Sequence, residues 1–138
     1  MPAMAQTPAD TGAMLISALA IPGEPEQVRT AREFTALVLR AHARDDDGTA
    51  ALLVSELVTN SLRHSASGQH GGTITVIVAV APDETLIEVT DNGGPTDPVP
   101  RAASDGEDGR GLHLVEELAA AWGYHRRETQ LTTWFQLP

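Results

Sequence analysis

A two-layer α/β sandwich of the α+β kind, with a mixed, mainly antiparallel sheet covered on one face by about three helices, is the fold class that the sequence predicts. Three observations lead there. Three segments carry apolar residues at helical spacing, five others are β-branched or alternate apolar with polar residues, and 138 residues leave room for one core rather than two.

The elements follow in chain order. Met1 to Gly12 is rich in Pro, Ala, Thr and Gln without periodicity, so residues 1–14 are expected to be a flexible tail and residues 15–138 a single domain. Leu15 to Ile21 reads as a short strand that Pro22 ends. From Glu24 to His42, the apolar residues Val28, Ala31, Phe34, Leu37, Val38 and Ala41 recur at helical spacing, with Pro25 in the first turn. The run Arg44-Asp45-Asp46-Asp47-Gly48 breaks that helix, and one of its aspartates is expected to cap the next; a metal site is the rival reading. A second helix, Thr49 to Ser65, gathers Leu53, Val54, Leu57, Val58, Ser61 and Leu62 on one face. A Gly/Ser/His loop then leads into the β-branched run Thr73 to Val80, which Ala81-Pro82-Asp83-Glu84 turns into a second strand, Thr85 to Asp91. Residues 92–108 hold three prolines and three glycines and are too long for a plain connection, as lids and disordered segments are. A third helix is expected from Gly111 to Trp122, and Gly123 to Arg127 with Leu131 to Leu137 form a closing pair of strands.

Composition removes several functions. Nine basic residues against nineteen acidic ones give a formal net charge of -10, and all nine are arginine. So acidic a chain repels phosphate backbones and anionic lipid, which argues against nucleic acid and membrane as partners. Without lysine there is no lysine-bearing phosphate loop, no Schiff base and no protein kinase of the ordinary type. Without cysteine there is no disulfide, thiol nucleophile or thiolate zinc site. The apolar stretch Ala13 to Ile21 is too short to span a bilayer, and the protein reads as cytoplasmic.

Three segments carry chemistry. In Ser55-Glu56-Leu57-Val58-Thr59-Asn60-Ser61-Leu62-Arg63-His64, the residues Glu56, Asn60 and His64 are four apart and make one polar stripe bordering the apolar face. There a carboxylate and a carboxamide need partners, which Mg²⁺, its waters and a phosphate would supply; an ordinary solvated helix is the rival reading. In Leu86-Ile87-Glu88-Val89-Thr90-Asp91-Asn92-Gly93-Gly94-Pro95, strand alternation puts Asp91 with Ile87 and Val89 toward the core. The exocyclic amine of a purine is a fitting donor to such a carboxylate, and Gly93 and Gly94 let a flat ring approach; a turn after a strand is the plainer reading. In Asp108-Gly109-Arg110-Gly111-Leu112-His113-Leu114-Val115, two glycines open a helix whose amides bind phosphate without lysine, with Arg110 or Arg101 as the nearest cation. A glycine-rich helix start with no ligand accounts for the same residues.

The order of the segments is more specific than any one of them. Glu-x-x-x-Asn on a helix, a strand ending Asp-x-Gly, a long loop and Gly-x-Gly opening a helix resembles the ATP-binding domain of the GHKL superfamily, the Bergerat-type fold. The wording Ser-Glu-Leu-Val-Thr-Asn-Ser-Leu-Arg-His-Ser, with Gly-Arg-Gly-Leu-His-Leu-Val-Glu-Glu-Leu and Trp122-Gly123, is most similar to anti-sigma factor serine/threonine kinases of the RsbW type, from about Ala18 to Pro138.

The resemblance implies ATP and Mg²⁺ as cofactors, with Glu56 as general base on the attacking hydroxyl and Asn60 as the Mg²⁺ ligand. Asp91 would take the adenine amine, Gly93 would pack on the ring, and Thr132 would help to bind adenine. Gly109, Arg110, Gly111 and Leu112 would lie at the phosphate end, under a lid of about 92–108. It implies a sigma factor and a STAS-type anti-sigma factor antagonist as partners, and it allows a homodimer. The alternative is a nucleotide-gated protein-binding module without kinase turnover. Two departures stand out: Pro95 replaces the second glycine of Asp-x-Gly-x-Gly, and Gln130-Leu131 replaces a Gly-Lys pair before the final strand.

Overall fold

The β-branched run after Gly72 builds β2 (Thr73–Ala81), and the turn at Pro82 and Asp83 returns the chain as β3 (Glu84–Asp91). Three further strands complete the sheet: β1 (Leu15–Pro22), β4 (Ala121–Arg127) and β5 (Gln130–Leu137). The structure, a computed structural model, describes residues 14–44, 47–95, 97–98 and 110–138. The strand order is β1-β2-β3-β5-β4, and every pairing among the described residues is antiparallel, so the mixed character allowed by the sequence is not used.

Three helices, α1 (Gln27–Ala41), α2 (Thr49–His64) and α3 (Arg110–Leu118), pack on one face of this sheet. Strict alternation selects the side chains that meet them: Ile74, Val76 and Val78 from β2, Ile87 and Val89 from β3, and Phe135 from β5. From the helices come Leu53, Val54, Leu57 and Val58 of α2 and Leu112 and Val115 of α3. Each fully buried Val, Leu or Ile contributes about 1.5–3 kcal/mol, so this layer holds the fold together. Among the described residues no helix covers the opposite face. It carries Ile16, Ala18, Ile77, Leu86, Trp134 and Glu88, whose carboxyl is pushed up by burial against the pull of His125.

Several boundaries differ from expectation. In α1 the buried stripe is Ala31, Thr35, Val38 and Leu39, whereas Leu37 is 60% exposed. Thr35 can join the stripe because its hydroxyl donates to the Ala31 carbonyl at 2.9 Å. Pro25 lies ahead of α1, in a turn where the Glu24 carbonyl accepts from Gln27 N at 2.9 Å. The aspartate cap also moves by one residue: Gly48 is the N-cap at φ 96°, while Asp47 Oδ1 accepts from Thr49 N at 3.2 Å and from its Oγ1 at 2.6 Å. These bonds, the hydroxyl's first, hold the Asp47 carboxyl below its ordinary value. Asp45 and Asp46 lie outside the described residues. The third helix stops at Leu118 because the Ala120 amide is drawn to the Gln136 carbonyl at 2.8 Å, so Trp122 packs on the core from β4 instead.

Candidate functional site

The site lies where α2 crosses the end of β3. A serine in the apolar stripe of a helix must find an acceptor, and Ser61 finds one 30 residues away: its Oγ donates to Asp91 Oδ2 at 2.6 Å. The other carboxylate oxygen accepts from Gly93 N at 2.7 Å, and the side chain sits among buried residues as strand alternation requires. Burial pushes the Asp91 carboxyl above its ordinary range, while the bonds from Ser61 and Gly93 and the nearby Arg126 guanidinium pull it back. Each oxygen keeps a second lone pair for a further donor.

Glu56 and Asn60 stand on the same helix, both half-buried at the border of its apolar face, as their spacing predicts, whereas His64 is exposed. Among the described residues nothing pairs with the Glu56 carboxylate. The Asn60 Nδ2 atom is buried and has no partner. Rotation of a carboxamide exchanges its two ends, so an oxygen can take that position. An acceptor waiting at the edge of the core beside a carboxylate is a donor set that fits Mg²⁺, which takes oxygen ligands and keeps several waters. The buried Asp91 carboxylate likewise fits an amine donor.

The loop after Asp91 is held by backbone packing. Gly93 has φ 81°, and a Cβ there would stand 2.2 Å from the Thr129 carbonyl oxygen; at Gly94 it would stand 2.2 Å from that of His64. The two glycines therefore answer first to the protein's own chain, a reason the sequence does not announce. The Gly93 carbonyl accepts from Ala66 N at 2.8 Å. Beyond it, Asn92 Oδ1 accepts from Thr73 N at 2.9 Å, and Ser67 Oγ accepts from Asn92 N at 2.8 Å and donates to the Thr73 carbonyl at 2.6 Å. Ser67 belongs to a single 3-10 turn, Ala66–Gly68, so the end of α2 and the end of β3 are one rigid unit.

Other expected residues fall differently. Thr132 pairs with Thr90, and their hydroxyls are 2.7 Å apart on the sheet face opposite the helices, the side away from Asp91. Alternation gives the helix-side place to Thr133, opposite Val89 and buried. Thr132 does not converge with Asp91; the register of β5, which the sequence leaves open by one residue, decides this. Leu112 is buried against the core at the start of α3. Arg110 and Gly111 open that helix, while Gly109, Arg101 and most of the expected lid lie outside the described residues. The described residues contain no cluster of His, Cys, Asp and Glu able to hold a metal, and no helix long and apolar enough to cross a membrane.

Comparison with known proteins identifies the family and the fold. Residues 21–137 match the family described as Histidine kinase-like ATPase domain. The chain is 32% identical over 117 residues to Serine-protein kinase RsbW of Listeria monocytogenes, covering 72% of this chain and 73% of that protein. Its fold is similar to the crystal structure of the RsbU and RsbW domains of Rv1364c from Mycobacterium tuberculosis, with a TM-score of 0.63 and 22% identity. That likeness covers 88% of this chain and about a third (32%) of the longer one. With Glu56 and Asn60 on the helix and a buried Asp91 at the end of the strand, the chain belongs to the histidine kinase-like ATPase domain family, as an RsbW-like member of the GHKL group.

Proposed function

We propose that the chain binds ATP with Mg²⁺ between α2 and the end of β3, and transfers the γ-phosphoryl group to a serine or threonine of an anti-sigma factor antagonist. In this reading it also sequesters a sigma factor in the cytoplasm. The observation that carries the reading is the buried Asp91 carboxylate, fixed by Ser61 and Gly93 on the same side of the sheet as Glu56 and Asn60. Asp91 accepts the adenine amine, Gly93 lies along the ring and Thr133 replaces Thr132 beside it. Asn60 supplies the metal's protein ligand. Gly109, Arg110, Gly111 and Leu112 form the phosphate end at the start of α3, where helix-terminal amides favour negative charge.

Glu56 is the general base. Its carboxylate takes the proton of the attacking hydroxyl as the oxygen bonds to the γ-phosphorus and the bond to the β-phosphate oxygen breaks, leaving ADP. Mg²⁺, when bound, neutralises charge on the phosphate oxygens. The metal and the helix-terminal amides stand in for the missing lysine.

The test is transfer of label from ATP to the cognate antagonist. Wild type is expected to label it, and Glu56→Ala to abolish transfer while sparing nucleotide affinity, since the base acts in the transition state. Normal ATP binding by wild type without transfer would reject the kinase reading and leave a nucleotide-binding module.

A further inference from the structure

Beyond its pull on the Asp91 carboxyl, Arg126 of β4 has been given no role so far. It pairs in register with Leu131, which on its other side pairs with Asp91, so Asp91, Leu131 and Arg126 form one row across the end of the sheet on its helix side. From this row the guanidinium reaches the chain that leaves the candidate adenine loop. Nε and Nη2 both donate to Asp97 Oδ1, at 3.1 and 2.9 Å. Nη1 lies 4.0 Å from where a Cβ on Gly93 would stand.

We infer that Arg126 is a positioning residue of the nucleotide site, tethering Asp97 to β4 and so restraining the chain that leaves the Asp91-to-Gly94 loop before a ligand arrives. The inference rests on the nucleotide reading above. Two features make the tether useful. Pro98 limits the backbone freedom of Asp97, the residue before it, so the ion pair holds a stiff point of the chain. Ordering this stretch on binding would otherwise cost affinity, and a chain already held in place removes that cost. The pair itself is half-open to solvent, with the Arg126 and Asp97 side chains 36% and 52% exposed, so its effect on global stability is small.

The experiment is a double-mutant cycle on the full chain, read by titration with a fluorescent ADP analogue in the presence of Mg²⁺ and by thermal melting without nucleotide. Arg126→Gln and Asp97→Asn are each expected to weaken ADP binding by about fivefold, the upper range for a solvent-open pair. The double variant is expected to be no weaker than either single one, because both remove the same contact. Arg126→Lys, which keeps the charge, is expected to recover part of the affinity. Melting temperatures should stay close to wild type. Wild-type affinity in Arg126→Gln, or additive losses in the double variant, would overturn the tether while leaving the nucleotide reading intact. Failure of wild type to bind ADP would overturn both.

Discussion

Replacing Asp91 by Asn separates stability from affinity, because the two respond to this carboxylate with opposite sign. In the folded protein one oxygen accepts from Ser61 Oγ at 2.6 Å and the other from Gly93 N at 2.7 Å. The Gly93 amide can only donate, so an Asn side chain must turn its oxygen there and its NH₂ toward Ser61, whose hydroxyl can rotate to accept. A donor then stands where, in the proposed function, the carboxylate offers a lone pair to adenine. A hydrogen bond to a charged group contributes about 1.5–3 kcal/mol, so affinity for ADP should fall roughly 10- to 150-fold. Stability should not follow. Burial raises the folded pKa of Asp91 above its unfolded value of 3.8. A raised acid adds stability below the unfolded value and loses it as pH climbs through the folded one, so at pH 7 the ionised group weighs against the fold. Asn removes that burden. Titration with an ADP analogue, paired with melting at pH 7 and at pH 3.5, reads both effects. Unchanged affinity would refute the placement of adenine, and a melting temperature at pH 7 several degrees below wild type would refute the account of the buried charge.

Other substitutions test neighbouring parts of the site. Ser61→Ala leaves Asp91 with one donor fewer, which should cost about 1–3 kcal/mol at neutral pH; denaturant melts should show the loss shrinking as the pH falls well below 3.8, where the carboxyl becomes protonated in both states. Gly94→Ala drives a Cβ to 2.2 Å from the His64 carbonyl oxygen, so chemical unfolding should report a loss of about 1–3 kcal/mol together with weaker nucleotide binding. Thr132→Val and Thr133→Val discriminate the two faces of β5: nucleotide affinity should be unchanged in the first and reduced in the second, and the reverse result would mean that the register has been misjudged.

Much of this site was legible because periodicity encodes direction. Alternation along Ile87, Val89 and Asp91 requires no knowledge of the fold to send the aspartate inward, and a spacing of four puts Glu56 and Asn60 on one edge of a helix. Partners are another matter. Nothing in the residues around Asp91 names Ser61, because the choice depends on where α2 lands on the sheet. The same holds for Gly93 and Gly94, whose glycine is demanded by Thr129 and His64. Thr132 and Thr133 are adjacent and chemically identical, so only the pairing with Thr90 and Val89 distinguishes them. Leu37 shows the limit from the other side: an apolar residue near the right spacing remains outside because Thr35, with its hydroxyl satisfied within the helix, fills the stripe.

The strand order also bears on how the chain is made. β5 emerges from the ribosome after β4, yet it lies between β3 and β4. Synthesis therefore delivers the edge before the strand that joins it to the sheet, and β4 has no neighbour until β5 slides in. A nascent chain ending at Thr129 can assemble β1, β2 and β3 under α1 and α2, but Thr133 is not yet present and Arg126 has no place in the sheet. Within this sheet, the end of β3 that carries Asp91 thus gains its β5 neighbour only after β4 has been made.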